Sequence, residues 1–581
     1  MRQQYAWRSL LLNGCLALAA VAILLQMVRI QASAEAEQFR QQADAFAGEW
    51  KLYFPERGEI YDRNGHLLAG NQTVYEVGVD LTAMRDPHSI AMAVSVNLGK
   101  DYDTVYSGLL NPPEGLSYLV VDNFADPDAV AYLEQLKEEL AAKASTLPSL
   151  AGLEFHARLQ RSYPEAALAS NVLGFVNREG RGYFGVEEKY NDLLAGQPLW
   201  VWMPADPNRA VEIPRIPHGT SLILTIDREL QGAVEEILDR ALYEYGAQNG
   251  AIVVLDPRNG EVLAMASTPR MDLNAFWEYG SIYNNASEFN RPVTMPYEPG
   301  SVIKILTMAA ALDSGLVTPE TTYLDTGAIQ VGGETIKNWN EEAWGLQNMV
   351  GCLQHSLNVC MVWLATQMGP QTFYGYMNLF GLGKSSGIDL AREAPGRLKL
   401  PGDADWYPVD LGTNSFGQGV AVTPIQLMTA ATAIANHGRM VTPHALYAQL
   451  RDGHQFTVPT QYAASPIKPE TAATLNEMLA VSLEAESSQA LVPGYRMAGK
   501  TGTAQIPTPY GFYDAYQTNA SFIGWGPVDD PQFMIYVWLE RPTASIWGSE
   551  TAAPVFSEVA QKTAILLNIP PDAIRLQMAA P

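Results

Sequence analysis

From Leu10 to Val28 the chain is almost wholly apolar, interrupted only by Asn13, Gly14 and Gln26. At about 1.5 Å per residue such a run reaches roughly the 30 Å of a bilayer core, which predicts one membrane-spanning helix over 9–30. Arg2 and Arg8 precede it, so residues 1–8 are expected in the cytoplasm and the bulk of the chain outside. Ala32-Ser33-Ala34 resembles a signal-cleavage site. A signal's apolar core usually runs about 7–15 residues, however, and this run is longer, which favours an uncleaved anchor. The Ala, Gln and Glu content beyond it predicts that the helix continues as a juxtamembrane segment over 31–50.

A chain of 581 residues is too long for one core and predicts roughly three or four domain-sized units. Its 47% apolar and 17% charged content is that of a globular protein. The formal net charge of −25 argues against nucleic acid as a partner, because phosphate binding needs a basic face. Of three cysteines, Cys15 lies in the apolar run, leaving Cys352 and Cys360. On one continuous helix those two would stand about 12 Å apart, too far for a disulfide, whereas a bend between them would reopen the pairing. The eight histidines show no metal-ligand spacing, so no metal site is expected.

Beyond the anchor, Arg57-Gly58-Glu59-Ile60-Tyr61-Asp62-Arg63-Asn64-Gly65 contains a hairpin turn signal at Asn64-Gly65, and Val74 to Asp80 then alternates as a strand should. Arg57, Asp62 and Arg63 are read as an ion-pair network fixing that hairpin. A helix is expected from Asp126 to Lys143, and no chemistry-bearing cluster stands out before Pro217. A new unit begins near Gly219. It runs from a strand, Ser221 to Thr225, through a helix capped by Asp227, to a hairpin of Ala251–Leu255 and Glu261–Ser267 turned by Asp256-Pro257-Arg258-Asn259-Gly260. The pattern predicts an α+β domain on an antiparallel sheet.

Three short motifs carry possible chemistry. Pro299-Gly300-Ser301-Val302-Ile303-Lys304 places a serine and a lysine on one face at a helix start. A hydroxyl needs a base to become a nucleophile, and a desolvated lysine beside another cation can serve as one. Ser356-Leu357-Asn358 precedes a helix-like run from Val359 to Met368. Met497 to Ala504, containing Lys500-Thr501-Gly502-Thr503, reads as a strand whose glycine admits a close approach. Singly they are weak. Ser465 and Lys468 repeat the first spacing between prolines, and Ser95-Val96-Asn97 repeats the second.

In this order the three motifs are those of penicillin-binding proteins and their relatives. The chain resembles a class B penicillin-binding protein, a monofunctional peptidoglycan D,D-transpeptidase, over nearly its whole length. Tyr297-Glu298-Pro299-Gly300-Ser301, Gly417-Gln418-Gly419 and Thr423-Pro424-Ile425-Gln426 match the catalytic domain. Arg57 to Gly65 and Gly182-Tyr183-Phe184-Gly185-Val186-Glu187 match the non-catalytic one, and Asn171 stands where relatives often have His. The resemblance implies the penicillin-binding transpeptidase fold, an antiparallel sheet flanked by helices, over 218–568. Before it come the transmembrane helix and an elongated non-catalytic pedestal over 51–217, and a tail over 569–581 follows.

It also implies roles. Ser301 would attack the carbonyl between two terminal D-alanines of a stem peptide, forming an acyl-enzyme that an amine from a neighbouring strand resolves. Lys304 would accept the proton, Ser356 would relay one to the leaving group, and Asn358 would hold Lys304 and the substrate amide. Lys500 would help keep Lys304 neutral and draw the substrate carboxylate, with Thr501, Gly502 and Thr503 binding beside it. Backbone N–H groups of Ser301 and Thr503 would form the oxyanion hole. No cofactor is implied. β-Lactams would acylate the same serine, and a polytopic SEDS-family glycosyltransferase is the implied partner at the bacterial cell membrane. A β-lactamase or soluble carboxypeptidase would not explain the pedestal, and a silent β-lactam sensor would show a broken motif. Tyr297-Glu298-Pro299-Gly300 leans toward a division enzyme over an elongation one.

Overall fold

The helix Ala6–Gln31 carries an apolar stretch, Leu10–Arg29, of mean hydropathy 2.2 that no other described residues bury. A helix apolar on all sides is suited to lipid, where its backbone groups are satisfied internally. The computed structural model describes residues 6–31, 48–143, 147–204, 217–486, 488–508 and 513–579. The described residues form two units: Met1–Glu56 with Gly196–Gly219, and Arg57–Ala195 with Thr220–Pro581. In the first, Gly48–Tyr53 pairs antiparallel with Leu199–Pro204, and Trp50 and Trp202 meet edge to face at 5.7 Å. The helix expected over 31–50 therefore does not reach its end. Residues 32–47 lie outside the described residues, and Gly48, Glu49 and Trp50 are strand because a partner from far along the chain satisfies them.

In the second unit the Asn64-Gly65 turn joins Ile60–Tyr61 to Leu67–Asp80 antiparallel. Asp62 accepts backbone N–H bonds from Asn64, His66 and Arg228, while Arg63 pairs with Glu261 at 3.3 Å. Arg57 and Arg161 both bond the carboxylate of Glu187, each through Nε at 2.7 Å, in the interior. The three residues expected to form one ion-pair network around the hairpin instead have separate partners: Asp62 holds the turn through backbone N–H groups, while Arg57 and Arg63 pair with Glu187 and Glu261 far along the chain. Leu67–Asp80 also pairs with Tyr118–Ala125 and Leu153–Ser162, and helices including Pro127–Ala141 pack there on a small core around Val77, Ile90 and Leu133. Ile60–Tyr61 runs parallel to Ser221–Leu224, which pairs with Leu446–Arg451 and through it His454–Thr457. One seven-stranded sheet thus crosses the junction expected near residue 217.

The remaining elements, in chain order, are helix α1 (Arg228–Tyr245), strands β1 (Asn249–Leu255) and β2 (Val262–Ser267), and helices α2 (Lys304–Asp313), α3 (Met349–Gln354), α4 (Asn358–Leu379) and α5 (Pro469–Glu486). Strands β3 (Ala498–Pro507), β4 (Tyr513–Gly526) and β5 (Phe533–Glu540) and helix α6 (Ala552–Leu566) follow. The strands form an antiparallel sheet in the order β2-β1-β5-β4-β3, which leaves β3 at an edge. Strand β1 is apolar on both faces. Ile252 and Val254 join the core beneath α1 and α6, while Ala251, Val253 and Leu255 join the larger core with α2 and α4. Asp227 caps α1 by accepting from the N–H groups of Glu229 and Leu230. The fold is therefore an antiparallel sheet flanked by helices. The run read from Val359 to Met368 is the first part of α4, which kinks at Gly369 ahead of Pro370. Residues 572–579 form a last helix, with Asp572 accepting from the Arg496 N–H at 2.7 Å.

Candidate active site

Ser301 stands in a tight turn, Gly300–Ile303, that leads directly into α2. The approach to it is clamped. Tyr297 stacks on Trp538 of β5 at 4.7 Å, and its hydroxyl bonds that of Tyr536. Glu298 accepts from the Gly419 N–H at 2.9 Å, and the Gly300 N–H donates to the Gly417 carbonyl at 3.1 Å. The segments read as family signatures at 297–301 and 417–419 therefore hold each other. Gly300 has φ +59°, a conformation that glycine adopts at little cost.

Lys304 is the first residue of α2 and is fully buried. Burial first, and then the charge of Lys500, hold its amine well below the usual lysine range. Its Nζ reaches the Ser356 carbonyl at 2.5 Å, Asn358 Oδ1 at 2.8 Å and Ser356 Oγ at 3.2 Å. A neutral amine has two N–H donors and one lone pair. Donating to the two carbonyl oxygens leaves the lone pair available to a hydroxyl, so the group can act as a base.

Ser356 lies in the break between α3 and α4, and Asn358 is the first residue of α4. Ser356 has φ +51°, and the Leu357 N–H closes the turn on the Cys352 carbonyl at 3.0 Å. The break brings Cys352 and Cys360 to a Cα separation of 6.1 Å, joined as a disulfide that brackets the Ser356–Asn358 turn. A bend was the condition the spacing set for pairing, and the motif itself supplies it. The neighbouring loop adds ties: Asn358 Nδ2 donates to the Lys337 carbonyl, Trp339 Nε1 to the His355 carbonyl, and the Val359 N–H to Asn338 Oδ1.

Lys500, Thr501, Gly502 and Thr503 lie on β3. A Cβ on Gly502 would come within 2.3 Å of Ser521 Oγ and 3.0 Å of Val302 Cγ1, so only glycine lets the Ser301 turn pack this closely on the strand. Ser301, Ser356, Lys500, Thr501 and Thr503 line one cavity of about 260 Å³, with Lys304 bonded behind it. All eight residues singled out from the sequence come together. Ser465 and Lys468 do not join them; Lys468 is exposed and its backbone bonds Asp313. Ser95 and Asn97 sit on a helix of the other sheet's core, Pro87–Leu98.

Other lining residues carried no sequence signal. Trp339 and Trp547 meet edge to face at 5.3 Å, and His355, Ser482, Ser549 and Glu550 also line the cavity. Asn171, the departure noted above, is buried and donates through Nδ2 to the Pro269 carbonyl, while its own carbonyl accepts from Asn290. The altered position is locally satisfied.

A serine on a tight turn, a buried lysine whose pKa is lowered and a flanking cation on an edge strand are the parts that serine acyl transfer requires. Residues 250–561 match the family described as the penicillin binding protein transpeptidase domain, and residues 53–201 match the penicillin-binding protein dimerisation domain. The chain belongs to this family, in its class B form. It is 32% identical to stage V sporulation protein D of Bacillus subtilis over 89% of this chain and 79% of that protein. It is 28% identical to the peptidoglycan D,D-transpeptidase FtsI of Escherichia coli, over 98% and 93% of the two chains. Among solved structures, penicillin binding protein 3 of Mycobacterium tuberculosis in complex with aztreonam superposes with a TM-score of 0.69. That match is 26% identical and covers 90% of this chain and 98% of that one.

Proposed function

We propose that this protein is a membrane-anchored peptidoglycan D,D-transpeptidase that cross-links stem peptides through an ester on Ser301. The observation that carries the reading is the buried Lys304 amine, bonded to Ser356 and Asn358 and lowered by burial and Lys500. Ser301 Oγ attacks the penultimate D-alanine carbonyl, Lys304 takes its proton, and Ser356 passes a proton to the departing D-alanine. In ligand-free sites catalytic hydrogen bonds are often long, so the Ser301–Lys304 bond is expected to form with substrate. Asn358 orients Lys304, and Lys500 with Thr501 and Thr503 receives the terminal carboxylate. The Ser301 and Thr503 N–H groups stabilise the oxyanion, at roughly 3 kcal/mol per donor by analogy with other acyl-transfer sites. β3 is an edge strand, and a stem peptide can lie along it.

The apolar helix is the anchor of this reading, with the N-terminus cytoplasmic and residues 51–581 outside. The pedestal over 51–217 presents the surface for a SEDS-family glycosyltransferase, and the transpeptidase domain spans 218–568. A division role is favoured by Tyr297-Glu298-Pro299-Gly300. Incubating the protein with pentapeptide-bearing glycan should release D-alanine and yield cross-linked dimers. Failure of the wild-type protein to give either product would contradict the reading. Depletion should give filaments; rounded cells would reassign it to elongation.

A further inference from the structure

The described lining of the Ser301 cavity includes one carboxylate, Glu550. It lies in the loop between β5 and α6, next to the α6 N-cap Thr551. Its Oε2 accepts from Ser545 Oγ at 2.5 Å, while Oε1 takes no hydrogen bond from any described residue. A helix start favours an acidic side chain, but it does not require that side chain to line the catalytic cavity.

The reaction brings two charges to this cavity. The donor's carboxylate is matched by Lys500, whereas the acceptor is an alkyl amine, cationic in water because such groups titrate near about 10.4. We propose that Glu550 is the acceptor-selecting residue, drawing cationic amines to the acyl-enzyme; the proposal rests on the transpeptidase reading. The ammonium loses a proton to solvent, and its nitrogen attacks the ester carbonyl. The C–N bond forms, the bond to Ser301 Oγ breaks, and the second nitrogen proton reaches that oxygen by way of Lys304. Glu550 takes no proton in this sequence. It raises the local concentration of the cationic acceptor.

The test uses the full chain in detergent, with Ser301 acylated by an N-acyl-D-alanyl thioester at neutral pH. Two amines then compete with water: Nα-acetyl-lysinamide, a monocation, and hydroxylamine, which is neutral. The readout is the ratio of their half-saturating concentrations within each variant, from which differences in active fraction cancel. Glu550→Gln should raise the cation-to-neutral ratio about threefold, the size of a partly exposed ion pair. Glu550→Lys should raise it further, and Glu550→Asp should keep it near wild type. An unchanged ratio in the Gln and Lys variants, or an Asp variant that behaves as Gln does, overturns the proposal and leaves the transpeptidase reading standing. A wild-type protein that forms no Ser301 ester from the thioester overturns that reading and this proposal with it.

Discussion

On the proposed reading Lys304 sets the pH behaviour of the site, because only its neutral form could take the Ser301 proton. Burial and the Lys500 charge lower its pKa. Acylation by a β-lactam should therefore rise with pH as Lys304 loses its proton and fall on the acid side. Lys500→Ala removes the like charge, raises the Lys304 pKa and should move the acid limb of the rate–pH profile to higher pH. A limb that stays in place would contradict the coupling. Lys304→Ala should slow acylation by roughly 10²–10⁴-fold, the usual size of a general-base contribution, as read by stopped-flow or mass. Ser301, Lys304, Ser356, Asn358 and Lys500 were legible because the chemistry demands those residue types at short fixed spacings. Trp339, Trp547 and Glu550 reach the same cavity from loops whose approach depends on tertiary packing, and nothing local marks them.

At the scale of elements, the site depends on two close approaches. The first is the turn between α3 and α4, pinned by the Cys352–Cys360 bond and by the Lys337–Trp339 loop. A Cys352→Ser/Cys360→Ser double variant should lose about 2.5 kcal/mol of stability for so short a loop. It should also acylate about tenfold more slowly as Ser356 shifts from Lys304. Thermal melting and acylation rate measure the two effects, and an unaltered rate would show that the hydrogen bonds alone hold the turn. The second is the packing of the Ser301 turn on β3 across Gly502. Gly502→Val should force strand and turn apart and cut acylation more than a hundredfold while the far-UV circular dichroism stays that of the folded chain. The strand pattern of β1 and the Asp227 cap were readable from sequence. The pairing of the cysteines was not, since it turns on the left-handed Ser356, which helical spacing does not reveal.

Across the whole molecule, strands from before and after the junction expected at 217 share a sheet, and the buried Arg57–Glu187–Arg161 cluster sits in the same unit. Burial alone would raise the Glu187 carboxyl, but Arg161 and Arg57 hold it below its usual range. A carboxyl depressed in the folded state contributes stability above its unfolded pKa of about 4.3, and that contribution disappears as pH falls through the folded value. Glu187→Ala leaves two buried guanidinium groups without their anion and should cost about 3–5 kcal/mol. Calorimetry at neutral pH checks this, and a melting temperature equal to wild type would contradict it. The matching signatures at Arg57 and Glu187 could be read from the chain, and their contact could not. The same holds for Gly48 to Trp50, whose strand partner lies about 150 residues further along.

The central claim is that Ser301 is the nucleophile of an acyl-enzyme. Incubating the full chain with a β-lactam and weighing the peptide that spans Ser301 tests it most directly. The account expects one drug mass on that peptide in wild type and none in Ser301→Ala. An unmodified wild-type protein, or the same adduct on the variant, would contradict it.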